Sequence, residues 1–182
     1  GFCYFNNAAI AAHRLSAAGR VAMLDLDFHH GNGAQDIFYR RADVLTLSIH
    51  GHPNQAYPYF SGFADERGDG PGRDFNRNFP LSERCGAEAF FAALDAALKR
   101  VRDFNPAFLV VPLGFDTMRG DPTGSFDLAA GDLEQVGMRL GGLDLPLLIV
   151  QEGGYDLGNL RTGSRSFFRG VARGLVRIHR TP

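Results

Sequence analysis

Val21-Ala22-Met23-Leu24-Asp25-Leu26-Asp27-Phe28-His29-His30-Gly31-Asn32-Gly33 is the stretch on which the fold turns. It opens as an apolar run and closes in acids, imidazoles and glycines. Residues 21–26 are short, branched and apolar on both faces, the pattern of a parallel strand covered on both sides. The runs 44–49, Phe108–Leu113 and 145–150 repeat that pattern. Helical segments lie between some of them. Residues 6–18 are Ala-rich and close at Gly19, which suits a C′ glycine. Ala87–Phe104 carries Phe90, Phe91, Leu94, Leu98 and Val101 at helical spacing and stops before Asn105-Pro106. Residues 127–140, ended by Gly141-Gly142, and 164–178 complete the set. Alternating strands and helices predict an α/β fold with a doubly wound, mostly parallel sheet. The Gly-, Pro-, Asn- and aromatic-rich segment 51–80 reads as one long functional loop.

Composition narrows the class. The chain has 182 residues, 45% hydrophobic and 21% charged, with net charge −1. That length fits a single domain. No apolar run reaches the ~18–20 residues of a membrane span, and no signal peptide is evident. Nineteen basic residues against 20 acidic ones argue against nucleic-acid binding through bulk charge. Two cysteines, Cys3 and Cys85, make no disulfide framework, so a reducing cytoplasm is the default. Eighteen Arg against one Lys suggest a GC-rich bacterial source.

The informative residues follow the strands. The first runs into Asp25, Asp27 and His29, the second into Ser48-Ile49-His50-Gly51-His52. The third ends Gly114-Phe115-Asp116-Thr117, and the fourth Gln151-Glu152-Gly153-Gly154-Tyr155. Ligands of open α/β sheets bind beyond the carboxyl ends of the strands, so four such endings together point to an active site. In an extended chain Asp25, Asp27 and His29 share one side. Two acids and an imidazole there call for a cation, and mixed His/Asp ligation suits zinc with an open water position, Asp116 adding a ligand. The competing reading makes these acids helix caps. Tyr155 could donate to a carbonyl oxygen as charge develops, or pack at the sheet rim. His50 and His52 read as structural or loop residues, and His13 and His179 as helix-surface ones. Cys3 has no evident base partner for a nucleophilic role. Arg161, Arg165, Arg169, Arg173 and Arg177 recur every four residues, as on a solvated helix face.

The motifs resemble the zinc-dependent histone deacetylase superfamily, and within it the bacterial acetylpolyamine amidohydrolase and class II-like branch. The resemblance rests on Gly1-Phe2-Cys3-Tyr4-Phe5-Asn6-Asn7, on Asp25-Leu26-Asp27-Phe28-His29-His30-Gly31-Asn32-Gly33, on Gly114-Phe115-Asp116-Thr117 with Gly120-Asp121-Pro122, and on Glu152-Gly153-Gly154-Tyr155, in that order. It covers essentially the whole chain. It implies a three-layer arginase/deacetylase-like fold, incomplete at its N-terminal side, with residues 1–182 forming one truncated catalytic domain. It implies zinc on Asp27, His29 and Asp116, with Tyr155 polarising the scissile carbonyl. It also implies potassium, bound by Asp25, Asp27, His29, Ser48 and Ile49, and at a second site by carbonyls of Phe38, Arg41 and Val44. Phe2 and an aromatic of the 57–60 segment (Tyr59 or Phe60) would wall the acyl tunnel. Gly1 and Gly154 would contact substrate.

The implied reaction is metal-assisted hydrolysis of acetyl-lysine or an acetylpolyamine. Its general base is one of two adjacent histidines. The pair His29-His30 belongs to the metal motif, so the base pair is expected before Gly1 and the fragment alone is expected to be inactive. The resemblance allows a homo-oligomer of the full-length protein. Two rival readings stand beside it. One is a ureohydrolase-like hydrolase with two metal ions, and the other a non-catalytic deacetylase-like binding domain. An acid at the rim would favour a cationic amine, with Asp65, Glu66 and Asp69 as candidates.

Overall fold

The structure, a computed structural model, describes residues 3–178. Its centre is a five-stranded sheet: β1 (Val21–Asp25), β2 (Val44–Gly51), β3 (Asn76–Leu81), β4 (Phe108–Leu113) and β5 (Leu147–Gln151). The spatial order is β3-β2-β1-β4-β5, and every pairing between neighbours is parallel. The expected α/β architecture is therefore present, with a sheet more uniformly parallel than "mostly" implied.

Both faces of the central strands are covered, which explains their unbroken apolar character. Val21, Met23, Val44 and Val110 pack with Ala8, Ala9 and Ala12 of α1 (Asn7–Ser16) and Phe38 of α2 (Asn32–Phe38). The alternate residues Ala22, Leu24, Leu45, Leu47, Leu109 and Val111 face the other way. They meet Phe90, Leu94 and Val101 of α3 (Ala87–Phe104), Leu133 and Val136 of α4 (Ala130–Gly141) and Phe167 of α5 (Leu157–Ile178). Alanines on α1 let that helix lie close to the sheet.

Helix ends follow local chemistry. Asn6 caps α1 by accepting from the Ala9 amide at 2.8 Å. Asn105 ends α3 in the left-handed conformation, φ 49°, which asparagine tolerates. Asp156 accepts from the Asn159 amide at 2.7 Å, so α5 begins at Leu157 rather than at 164. The carboxylate of Asp132 accepts from the Ala129 amide at 2.8 Å and starts α4 there. Asp127, where the sequence placed that start, is instead paired with Arg119.

Two elements depart from the sequence reading. The segment 51–80 is not all loop, because its end forms β3 against β2, with Asn76 opposite Thr46 and Pro80 opposite His50. Polar β3 residues hid the strand, and proline fits because β3 is the sheet edge. Helix α2 was hidden inside the motif that follows β1, its N-cap being Gly31. The arginine face of α5 is only partly a solvated stripe, since Arg169 and Arg173 both pair with Glu134 of α4. No helix among the described residues is long and apolar enough to cross a membrane.

Candidate metal centre and active site

The carboxyl ends of β1, β4 and β5 lie side by side, because these three strands are neighbours in the sheet. Asp27, His29 and Asp116 meet there, each offering a ligand atom within 4.8 Å of the others. His29 Nδ1 lies 3.2 Å from Asp27 Oδ1 and 3.3 Å from Asp116 Oδ2. Asp27, His29 and Asp116 do lie together as the sequence reading expected, though not through strand alternation. β1 ends at Asp25, so strand alternation does not reach His29. Instead the chain turns, with Asp27 Oδ1 accepting from the His29 amide at 2.8 Å.

Each carboxylate is held from its far side. Asp27 Oδ2 accepts from the Gly153 amide at 2.8 Å. Asp116 Oδ1 accepts from the Phe28 amide at 3.1 Å. Asp116 Oδ2 is buried with no hydrogen-bond partner, and the His29 Nδ1 atom lies 3.3 Å from it as an ion-pair neighbour. Two glycines make the approach possible. A Cβ on Gly153 would run into Asp116 Oδ2 and sit 2.7 Å from Asp27 Oδ2, and one on Gly114 would sit 2.5 Å from Asp27 Oδ2.

The electrostatics fit a cation. Burial would lower the His29 pKa, but the Asp116 and Asp27 carboxylates close beside its Nδ1, and their charges, lift it to about 9. Burial raises Asp116 to about 6 despite the His29 contact. Asp27 is held below its ordinary range because hydrogen bonds from His29 and Gly153 outweigh its burial. A tetrahedral ion with N and O ligands at ~2.0–2.2 Å spaces neighbouring ligand atoms by roughly 3.3–3.6 Å. The 3.2 and 3.3 Å separations lie at or just under the short end of that range, all three ligand atoms stay within 4.8 Å of one another, and the Asp116 oxygen that accepts no hydrogen bond offers the lone pair such an ion would take.

Tyr155 stands at the β5 end. Its amide and that of Asp156 donate to Asp121 Oδ2 at 2.7 and 3.1 Å. Burial first, then the charges of Asp116 and Asp27, raise its phenol pKa, which keeps it a proton donor. Gly154 turns the chain at φ +129°, against the Phe115 Cβ.

Other residues singled out in the sequence fall in different places. Asp25 is not in the triad; its Oδ1 accepts from the Asp27 amide at 3.0 Å, and its Oδ2 lies beneath Gly31. Burial, then the charge of Asp27, raises its pKa well above the usual range. Ser48 sits opposite Asp25 in the β1–β2 register, and Ile49 follows it, fully buried. Phe38 ends α2, and its carbonyl already accepts from the Arg41 amide at 2.9 Å. The Arg41 guanidinium turns to Asp43 and Ser16, and Val44 opens β2. Tyr59 and Phe60 are exposed. The aromatic facing His29 is Tyr57, ring centroids 6.4 Å apart. The expected tunnel aromatics Tyr59 and Phe60 belong to that same exposed segment, and the Tyr59 ring meets Tyr57 edge-on at 6.2 Å. Sequence reasoning gave Asp121 no role, although an Asp-Pro turn beside Gly120 marked it. Gly1, Phe2 and His179 lie outside the described residues.

His30 does not face the triad. It is buried, with Nδ1 3.0 Å from Ser61 Oγ and Nε2 3.2 Å from Gln35 Oε1. His50 is likewise buried, a β2 residue rather than a loop one, while His13 meets Arg41 and His52 meets Phe63 edge-on.

Residues 1–171 match the family described as "Histone deacetylase domain". The chain belongs to that family. Among its relatives, an acetylpolyamine amidohydrolase of Burkholderia pseudomallei is 50% identical over 171 residues, covering 93% of this chain and 50% of that protein. Histone deacetylase 15 of Arabidopsis thaliana is 36% identical over 176 residues, covering 93% of this chain and 32% of the relative. A crystal structure of the Burkholderia pseudomallei acetylpolyamine aminohydrolase superposes with TM-score 0.94 at 48% identity, covering 96% of this chain and 51% of that one. A crystal structure of the HDA15 HD domain gives 0.86 at 34%, covering 97% and 56%. The family's arginase/deacetylase-like fold is thus shared. The chain spans about half the length of the acetylpolyamine amidohydrolases it matches.

Proposed function

We propose that the protein of which this chain forms part is a zinc-dependent amidohydrolase that removes acetyl groups from acetylpolyamines or acetylated lysine. The observation that carries the reading is the buried Asp116 Oδ2, which accepts no hydrogen bond, in a triad whose ligand atoms all lie within 4.8 Å of one another. Asp27, His29 and Asp116 would hold zinc, one ion per chain, which when bound polarises an acyl carbonyl and a water. Tyr155 would donate its phenolic proton into a hydrogen bond on the acyl oxygen as charge builds there. The Gly153 and Phe28 amides fix the two carboxylates, and Tyr57 shields one side of His29. The two close acetylpolyamine amidohydrolases of Pseudomonas aeruginosa, 51% and 45% identical, favour an acetylated amine as substrate.

A general base is not supplied by the other described histidines, since His13, His30, His50 and His52 are engaged elsewhere. Without one, general acid–base catalysis worth about 10²–10⁴-fold is lost, so the 182-residue chain alone is inactive in this reading. Potassium would sit at Asp25, Asp27, His29, Ser48 and Ile49, partly through backbone oxygens, a site the family resemblance supports. At Phe38, Arg41 and Val44 the Phe38 carbonyl is already engaged, and support is confined to the family resemblance. The reading places the protein in the cytoplasm.

The test is acetate release by the full-length protein from an N-acetyldiamine and from an acetyl-lysine peptide. Hydrolysis should vanish on chelation and return with zinc, and Tyr155→Phe should lower kcat about 10²–10³-fold. Absence of release from both substrates at full zinc loading overturns the reading. Two ions per chain would favour the ureohydrolase-like alternative.

A further inference from the structure

Glu66 is one of three acids placed at the rim from sequence, yet its carboxylate turns inward. Oε2 accepts from the Gly62 amide at 2.8 Å, from Gln35 Nε2 at 2.6 Å and from Asn78 Nδ2 at 3.1 Å. Gln35 is itself oriented. Its Oε1 accepts at 2.8 Å from both Asn76 and Asn78, alternate residues on one face of the edge strand β3. The Asn76 side chain also donates to the Glu66 carbonyl at 2.8 Å. Polar residues on β3, α2 and the 61–66 loop thus form one connected network.

Gly62 is gripped from both sides. Its carbonyl accepts from His50 Nε2 at 2.9 Å. A carbonyl only accepts, so His50 carries its proton on Nε2, and Nδ1 accepts from the Ser48 hydroxyl at 2.8 Å. No side chain fits at Gly62, where φ is +105° and a Cβ would lie 2.6 Å from His50 Nε2. The preceding residue, Ser61, meets His30 at 3.0 Å. Immediately before Ser61 runs Tyr57-Pro58-Tyr59-Phe60, whose Tyr57 ring faces His29 and whose Tyr59 ring stacks edge-on against Tyr57 at 6.2 Å.

We propose that Glu66 is a positioning residue: by clamping Gly62 it sets how the aromatic segment 57–60 closes over His29, and so selects the shape of the acylamine stem. It does not read the charge of the amine. This rests on the amidohydrolase reading above.

The complete, zinc-loaded protein carries the test, with Glu66→Ala and Glu66→Gln. Substrates are an N-acetyldiamine and a neutral N-acetylalkylamine of equal length, and hydrogen exchange reports the Gly62 amide. Glu66→Ala should raise KM about tenfold for both substrates with kcat within threefold, and should speed Gly62 exchange about tenfold or more. Glu66→Gln keeps an acceptor but removes the charge, so the cationic-to-neutral ratio of kcat/KM should stay within about twofold of wild type. A tenfold fall in that ratio for Glu66→Gln overturns the proposal in favour of charge recognition. Unchanged Gly62 exchange in Glu66→Ala also overturns it. If wild type hydrolyses neither amide, the amidohydrolase reading fails, and the exchange result alone decides whether the clamp exists.

Discussion

At the scale of single residues, the site depends on acids whose neighbours were unevenly visible beforehand. The candidate triad could be read because Asp27, His29 and Asp116 stand at strand ends, where a parallel sheet delivers side chains to a ligand. The lone pair of Asp116 Oδ2 was invisible, since it exists only where Gly114 and Gly153 let the backbone close in. Replacing Asp116 with Ala should weaken zinc binding about 100-fold or more, a loss calorimetry can measure. Asp121 makes a second test. Burial pulls its pKa up, but bonds from the Tyr155, Thr123 and Asp156 amides and the Thr123 hydroxyl hold it below its ordinary value. The unfolded chain then takes up that proton first as pH falls, so this stabilisation is complete above about pH 4 and is lost through the lower folded value. Asp121→Asn should cost about 1–2 kcal/mol at pH 7. The gap from wild type should close as denaturant titrations approach the native pKa, and a constant gap from pH 7 to 2.5 would refute the assignment.

At the scale of elements, the core strands were legible because burial on both faces leaves an apolar run. β3 was not, since its inward residues are Asn76 and Asn78 and its partners are other polar groups. The α4–α5 contact was equally hidden. Gly137, Gly141, Gly170 and Gly174 lie where the two helices touch backbone to backbone; a Cβ on Gly170 would strike the Glu134 carbonyl, and one on Gly137 the Phe167 carbonyl. In sequence only Gly141 stood out, as the end of a helix, and nothing marked the other three as contact points. Gly170→Ala should destabilise by about 1–3 kcal/mol through overpacking although alanine is the better helix former. Leu94→Ala on α3, fully buried in the main core, should cost about 2–5 kcal/mol from cavity formation. Urea melts of both variants check the order of effects.

At the scale of the whole molecule, one sheet edge gathers residues from the β1, β4 and β5 ends. Zinc that binds the native state alone should stabilise it by about 2.7 kcal/mol at 100 times its Kd, seen as a melting temperature that falls on chelation. Family membership was legible because the motifs occur in order along the chain; the relation of the sequence to proteins twice its length was suggested by that same order. The strand order carries one more consequence. Asp27 and Asp116 become neighbours only when β1 pairs with β4, closing a loop of roughly 80 residues whose entropy must be met before the contacts reward it. β1–β2 pairing, by contrast, is comparatively local. The candidate metal site would therefore act as a clock on folding: if it binds zinc as proposed, zinc uptake during refolding should lag the first gain of secondary structure and coincide with the burial of Leu109 and Val111.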